Sequence, residues 1–126
     1  MRAGEELPPL EKGVVTLAQV HAYEEAVQVS SPIHVDDEAA RAAGLDGVIA
    51  HGPMIMGFLA QHLVGIAGPE ALRRLAVRFT ATVPCGDELT CRAVVREVAD
   101  GRARLDVWAE NQRGERVASG EAEIAL

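Results

Sequence analysis

Between Asp46 and Glu70 the chain carries no Asp, Glu, Lys or Arg, only the run GVIAHGPMIMGFLAQHLVGIAGP, and this run narrows the available folds more than any other feature. Its length alone would suit a membrane span, which needs about 20 apolar residues. His51, Gly52 and Pro53 break its first third, Gln61 and His62 sit in its middle, and Gly65, Gly68 and Pro69 break its end. The uninterrupted apolar part is too short to cross a bilayer. A helix starting near Pro53, a residue suited to a first helical turn, and ending near Gly65 fits the pattern instead. Its apolar side chains fall on almost every face, so it must be wrapped by protein. The 126 residues suffice for one sizeable core, and a single domain over residues 1–126 is expected, with 1–12 irregular.

The material for the wrapping follows directly. Leu75 to Val83 carries Val77, Phe79 and Ala81 on one parity. Leu89, Cys91, Ala93 and Val95 alternate with Thr90, Arg92 and Arg96, and Ala103, Leu105 and Val107 alternate with Arg102, Arg104 and Asp106. Period-two alternation of this kind marks half-buried strands. Pro84, Gly86 and Asp87 make the first break, Asp100-Gly101 is a two-residue hairpin signal, and Asn111 to Gly114 turns the chain into a last strand over Glu115 to Leu126. The C-terminal half is therefore an antiparallel meander, with Arg92, Arg96, Arg102 and Arg104 on its solvent face.

The N-terminal half is more helical. Thr16 and Gln19 have capping-box spacing ahead of a helix that reaches about Val27. A second, short helix is capped by Asp36 or Asp37, favoured by Glu38 at its positive end, and stopped by Gly44. Helices followed by an antiparallel sheet place the chain in the α+β class.

Charge and composition exclude several partners. A net charge of −7 gives no attraction to phosphate backbones or anionic membrane surfaces, and 3% aromatic residues leave little to stack on bases. The opening MRAGEELPPLEKG has no apolar run, so no secretory signal is expected and the cytoplasm is the expected compartment. Cys85 and Cys91 lie on one face of an extended segment but about 20 Å apart, too far for a disulfide, and are read as buried reduced thiols.

Two loops feed helices with chemically able residues: Ser30-Ser31-Pro32-Ile33-His34 and Ile49-Ala50-His51-Gly52-Pro53. A histidine can transfer protons near neutral pH, and N–H groups at the start of a helix can hold a developing oxyanion. The string SPIHVDDEAARAAGLDGVIAHGPMIMGFLAQHL resembles the hydratase signature of the MaoC-like, (R)-specific enoyl-CoA hydratase family of hotdog folds, written as a Tyr, then Ser-Gly-Asp-x-Asn-Pro-Ile-His, then Ala-His-Gly. Arg78-Phe79-Thr80-Ala81, the turn Pro84 to Leu89, and Ala118-Ser119-Gly120-Glu121-Ala122 are similar to later parts of that family. The likeness spans roughly Gly13 to Leu126.

The resemblance implies a curved antiparallel sheet around the charge-free helix, a homodimer with sites near the subunit interface, and an acyl-CoA or acyl carrier protein thioester as substrate. It implies no cofactor. Carried over by position, His34 is the catalytic histidine and Gly52 the oxyanion donor, with His51 in support and Ser31 standing where the family has Asn. The family's Asp falls on Val29 and its preceding Gly on Gln28. Valine cannot exchange a proton, and loss of a general acid or base typically costs about 10²–10⁴ in rate. Asp36 and Asp37 fit a helix cap and are not promoted to the missing role. Glu24 and Glu25 are read as a solvated helix face, and His62 is not read as a metal ligand.

Three readings follow. One is an enoyl-CoA hydratase or 3-hydroxyacyl dehydratase using His34 and Gly52. A second is a non-catalytic acyl-CoA-binding subunit, which could pair with a catalytic hotdog partner as a heterodimer. The third is an acyl-CoA thioesterase, which needs a positioned carboxylate.

Overall fold

The computed structural model describes residues 1–28, 32–34 and 36–126. In chain order its elements are β1 (Leu10–Val14), α1 (Leu17–Val27), a 3₁₀ turn (Pro32–His34), α2 (Asp37–Ala42), α3 (Gly52–Ala67), β2 (Leu72–Phe79), β3 (Glu88–Ala99), β4 (Arg102–Glu110) and β5 (Arg116–Ala125). The strands form one antiparallel sheet in the order β1-β3-β4-β5-β2. Leu89, Cys91, Ala93 and Val95 of β3 and Ala103, Leu105, Val107 and Ala109 of β4 are buried, as their alternation requires. Asp100 and Gly101 both take positive φ, +53° and +73°, which twists the β3–β4 hairpin in the sense the strands demand.

The charge-free run forms α3, whose residues Met54, Ile55, Phe58, Leu59, His62 and Leu63 are buried against the sheet. The helix continues past Gly65 to Ala67 because Ile66 and Ala67 pack on the apolar cluster formed by Leu63, Leu105 and Ile124. It is not covered all round by this chain: Pro53, Gly57, Gln61 and Gly65 form an exposed stripe at helical spacing. Among the described residues no helix is long and apolar enough to cross a membrane.

Residues 10–12 differ from the irregular segment expected over 1–12. β1 begins at Leu10 and pairs with β3, and upstream of it Gly4 N–H donates to the Val95 carbonyl at 2.7 Å and Leu7 N–H to that of Ala93 at 2.9 Å. β3 is 12 residues long against five in β1, so its free edge takes further backbone partners. Pro8 and Pro9 lack N–H groups and interrupt that ladder, which hides the strand from the sequence pattern.

Both N-terminal helices are capped as expected. Thr16 Oγ1 accepts from the Gln19 N–H at 3.1 Å and Asp36 Oδ1 from the Glu38 N–H at 2.9 Å. Asp37 does other work: its Oδ1 accepts from the Val48 N–H at 2.9 Å and so ties α2 to the segment that precedes α3. On the outer sheet face the arginines pair across strands, Arg96 with Asp106, Arg92 with Glu110, Arg104 with Glu97 and Arg102 with Glu123.

Candidate active site

The start of α3 is placed by a backbone clasp. Ala50 N–H donates to the Val83 carbonyl at 2.8 Å, Cys85 N–H to that of Val48 at 3.1 Å, and Ile49 bridges Pro84. Ile49 also reaches the 3₁₀ turn twice. Its N–H donates to the Ile33 carbonyl at 3.3 Å, and its own carbonyl lies 2.7 Å from His34 Nδ1. A carbonyl only accepts, so His34 Nδ1 carries the proton and donates it, leaving the lone pair of the neutral ring on Nε2.

His51 follows the clasp and is the N-cap residue of α3, with φ −70° and ψ 138°. Its ring is stacked on that of His34, with centroids 3.9 Å apart and planes at 24°, and the Tyr23 ring is tilted at 50° to it with centroids 4.9 Å apart. His51 is buried, and its Nε2 donates to Glu24 Oε2. Its Nδ1 is buried without a hydrogen-bond partner among the described residues.

Gly52 opens α3, where the N–H groups of the first turn have no intrahelical acceptor and the helix dipole favours negative charge. A side chain at this position would not fit the existing contact: a Cβ there would stand 3.0 Å from the Phe79 ring, which β2 lays over the helix start.

His34, His51 and Gly52 are thus brought together as the sequence suggests. Ser31 and Val29 lie outside the described residues. The reading of Glu24 as part of a solvated face is corrected here: its side chain is only 11% exposed and meets His51, while Glu25 is exposed. The signal was available in the spacing, because Glu24 stands four residues after Val20, the buried residue of α1, and therefore shares its face. His62 belongs elsewhere; buried on α3, its Nε2 donates to the Pro8 carbonyl at 2.6 Å and holds down the N-terminal segment. Both cysteines are free. Cys91 is buried, which raises its thiol to about 11, whereas Cys85 is half-buried and less strongly raised, by burial and by the charge of Asp37. No group of three or more His, Cys, Asp or Glu among the described residues is arranged to hold a metal ion.

Residues 6–116 match the MaoC like domain. The chain belongs to the MaoC like domain family. This MaoC like domain is 32% identical over 117 residues to a UPF0336 protein of Clavibacter michiganensis subsp. michiganensis (strain NCPPB 382), with 86% of this chain and 78% of that one covered. Its structure is similar to that of an (R)-hydratase from A. caviae involved in PHA biosynthesis, at 25% identity and a TM-score of 0.87, over 100% of this chain and 97% of the other. It is similar as well to a chain of the ChsH1-ChsH2 complex from Mycobacterium tuberculosis, at 20% identity and a TM-score of 0.88, over 98% and 97% of the two chains. The likeness at 20% identity shows the fold alone. The MaoC like domain thus has the α+β hotdog fold, and by family it is hydratase-like.

Proposed function

We propose that this chain hydrates trans-2-enoyl thioesters, or in reverse dehydrates (R)-3-hydroxyacyl thioesters, with His34 as the proton-transferring group and the Gly52 N–H as the oxyanion donor. The observation that carries the reading is the stack of His34 on His51, the residue immediately before Gly52, which sets a base beside a helix N-terminus. In the forward direction His34 Nε2 takes a proton from water as the water oxygen bonds to Cβ of the enoyl group. The C=C electron pair moves toward the thioester carbonyl, whose oxygen gains negative charge where the Gly52 N–H can donate to it. The enolate then collapses and Cα takes the proton held on Nε2, so water adds across the double bond and the histidine returns to its starting state.

A homodimer fits the same reading. β2 is eight residues long, lies at the end of the sheet order with β5 as its neighbour, and has no strand partner on its outer edge among the described residues, so a second copy could pair there. A second reading, a non-catalytic acyl-CoA-binding subunit in a heterodimer, is favoured by one observation: position 29 is Val. The third, a thioesterase, is separated by its product. The experiment is to follow loss of the conjugated thioester absorbance with short and medium trans-2-enoyl-CoAs, alongside His34→Ala and a saturated acyl-CoA. The hydratase reading expects turnover that falls by roughly 10²–10⁴ in His34→Ala. Equal inactivity of the two proteins with retained acyl-CoA binding would leave the subunit reading, and release of free thiol from the saturated thioester would leave the thioesterase.

A further inference from the structure

The reaction above passes its protons through one imidazole, and such a group is effective only when its lone pair is held within a few tenths of an ångström and a few degrees of the productive direction. His34 is gripped on two sides. The Ile49 carbonyl fixes the rotation of its ring through Nδ1–H, and the stacked ring of His51 fixes the plane. His51 in turn must be held, and the group that meets its Nε2 is a carboxylate, Glu24 Oε2, brought in from α1.

Burial of a carboxylate is costly unless it is paired, so a Glu side chain 11% exposed beside an imidazole 6% exposed marks a specific arrangement rather than a solvated face. The contact keeps a proton on His51 Nε2 and prevents the ring from turning over, in the manner by which a carboxylate fixes the tautomer and orientation of a neighbouring histidine. Meanwhile Val29 has no ionisable group where the family pattern carries Asp.

We infer that Glu24 is a positioning residue for His34, acting through His51, and that it supplies this site with the carboxylate that the chain lacks at Val29. The inference rests on the hydratase reading. It places the carboxylate of the site on the helix before the signature loop instead of in the loop, and it makes Glu24, His51 and His34 one unit.

The test is steady-state hydration of an enoyl-CoA by the full chain as wild type, Glu24→Gln, His51→Gln, the double variant, Val29→Asp alone, and Glu24→Gln combined with Val29→Asp, each with a thermal melt. Glu24→Gln is expected to lower kcat by roughly 10²-fold with KM within about twofold, since Glu24 meets His51 and takes no part in holding the thioester carbonyl. The double variant should be no slower than the slower single one, because the two residues act in series. Val29→Asp should recover about tenfold of the loss in the Glu24→Gln background, more than Val29→Asp alone gains over wild type, a difference that a merely structural role of Glu24 would not give. An unchanged kcat in Glu24→Gln, additive losses in the double variant, or no recovery with Val29→Asp would each overturn the inference while leaving the hydratase reading in place. A wild type without turnover would overturn that reading and this one together.

Discussion

Gly120→Ala tests how closely β2 is seated on the rest of the sheet. A Cβ on Gly120 would stand 1.9 Å from the Ala76 carbonyl oxygen, 2.7 Å from Val77 Cα and 2.8 Å from Ala76 C, all of them backbone atoms that no side-chain rotation can move aside. To reach ordinary contact β2 would have to retreat by roughly 1.5 Å, a large fraction of the interstrand distance of about 4.8 Å. Hydrogen bonds do not survive that stretch. β5 is the neighbour of β2 in the sheet, and the pairs nearest the intrusion are Ala76 with Glu121, Val77 with Gly120 and Arg78 with Ser119. Losing two or three backbone bonds at about 0.5–1.5 kcal/mol each, and loosening Leu75 and Val77 from the core, gives a destabilisation of roughly 2–4 kcal/mol. That is a large share of the 5–15 kcal/mol typical of a domain. Urea unfolding followed by far-UV circular dichroism should show the midpoint falling accordingly. Because β2 also lays Phe79 over Gly52, on the hydratase proposal enoyl-thioester turnover should fall at lower denaturant concentrations than in wild type. A change below about 0.5 kcal/mol would refute the close approach of β2 to β5 and the reasoning built on it.

Gln28 ends α1 at φ +56°, a left-handed conformation that costs a non-glycine residue about 1 kcal/mol or more, so Gln28→Gly should raise stability by roughly 0.5–1 kcal/mol after the added freedom of the unfolded chain is subtracted, seen as a melting point higher by about 3 °C. A lower melting point would count against this account of the helix end. Cys91, whose acidity burial weakens to about 11, is expected to resist iodoacetamide at pH 8 in the folded chain and to react once urea exposes it, as peptide mass spectrometry would show. The same shift makes stability fall as pH rises from 9 toward 11, because the unfolded thiol loses its proton first; equal labelling rates in folded and unfolded protein would contradict both statements.

What the sequence makes legible depends on range. The β3 and β4 faces, the Asp100-Gly101 turn and the caps at Thr16 and Asp36 are decided within a few residues, and each stands where local pattern puts it. β1 is different: LEKGV shows no clean alternation, and it is a strand because β3 offers a free edge 74 or more residues further along the chain. The site divides in the same way. His34, His51 and Gly52 are legible through their signature, whereas Glu24 reaches His51 across 27 residues and a change of element, a relation that no local periodicity records. Only its sharing of a helix face with Val20 hinted at it.

The clasp between residues 48–50 and 83–85 has a consequence for how the candidate site is assembled. It closes a ring of chain that contains the whole of α3 and β2, so its entropy of closure must be met before His51 has a fixed place and before Ile49 can hold both Ile33 and His34. Such contacts are expected to form late in folding, when long-range pairing is already in hand. Assembly of the candidate site should therefore track completion of the sheet, and a partly folded chain holding only its helices would carry the histidines without their stacked geometry. Substitutions far out on the strands would then register as fewer competent molecules, each working at its full rate.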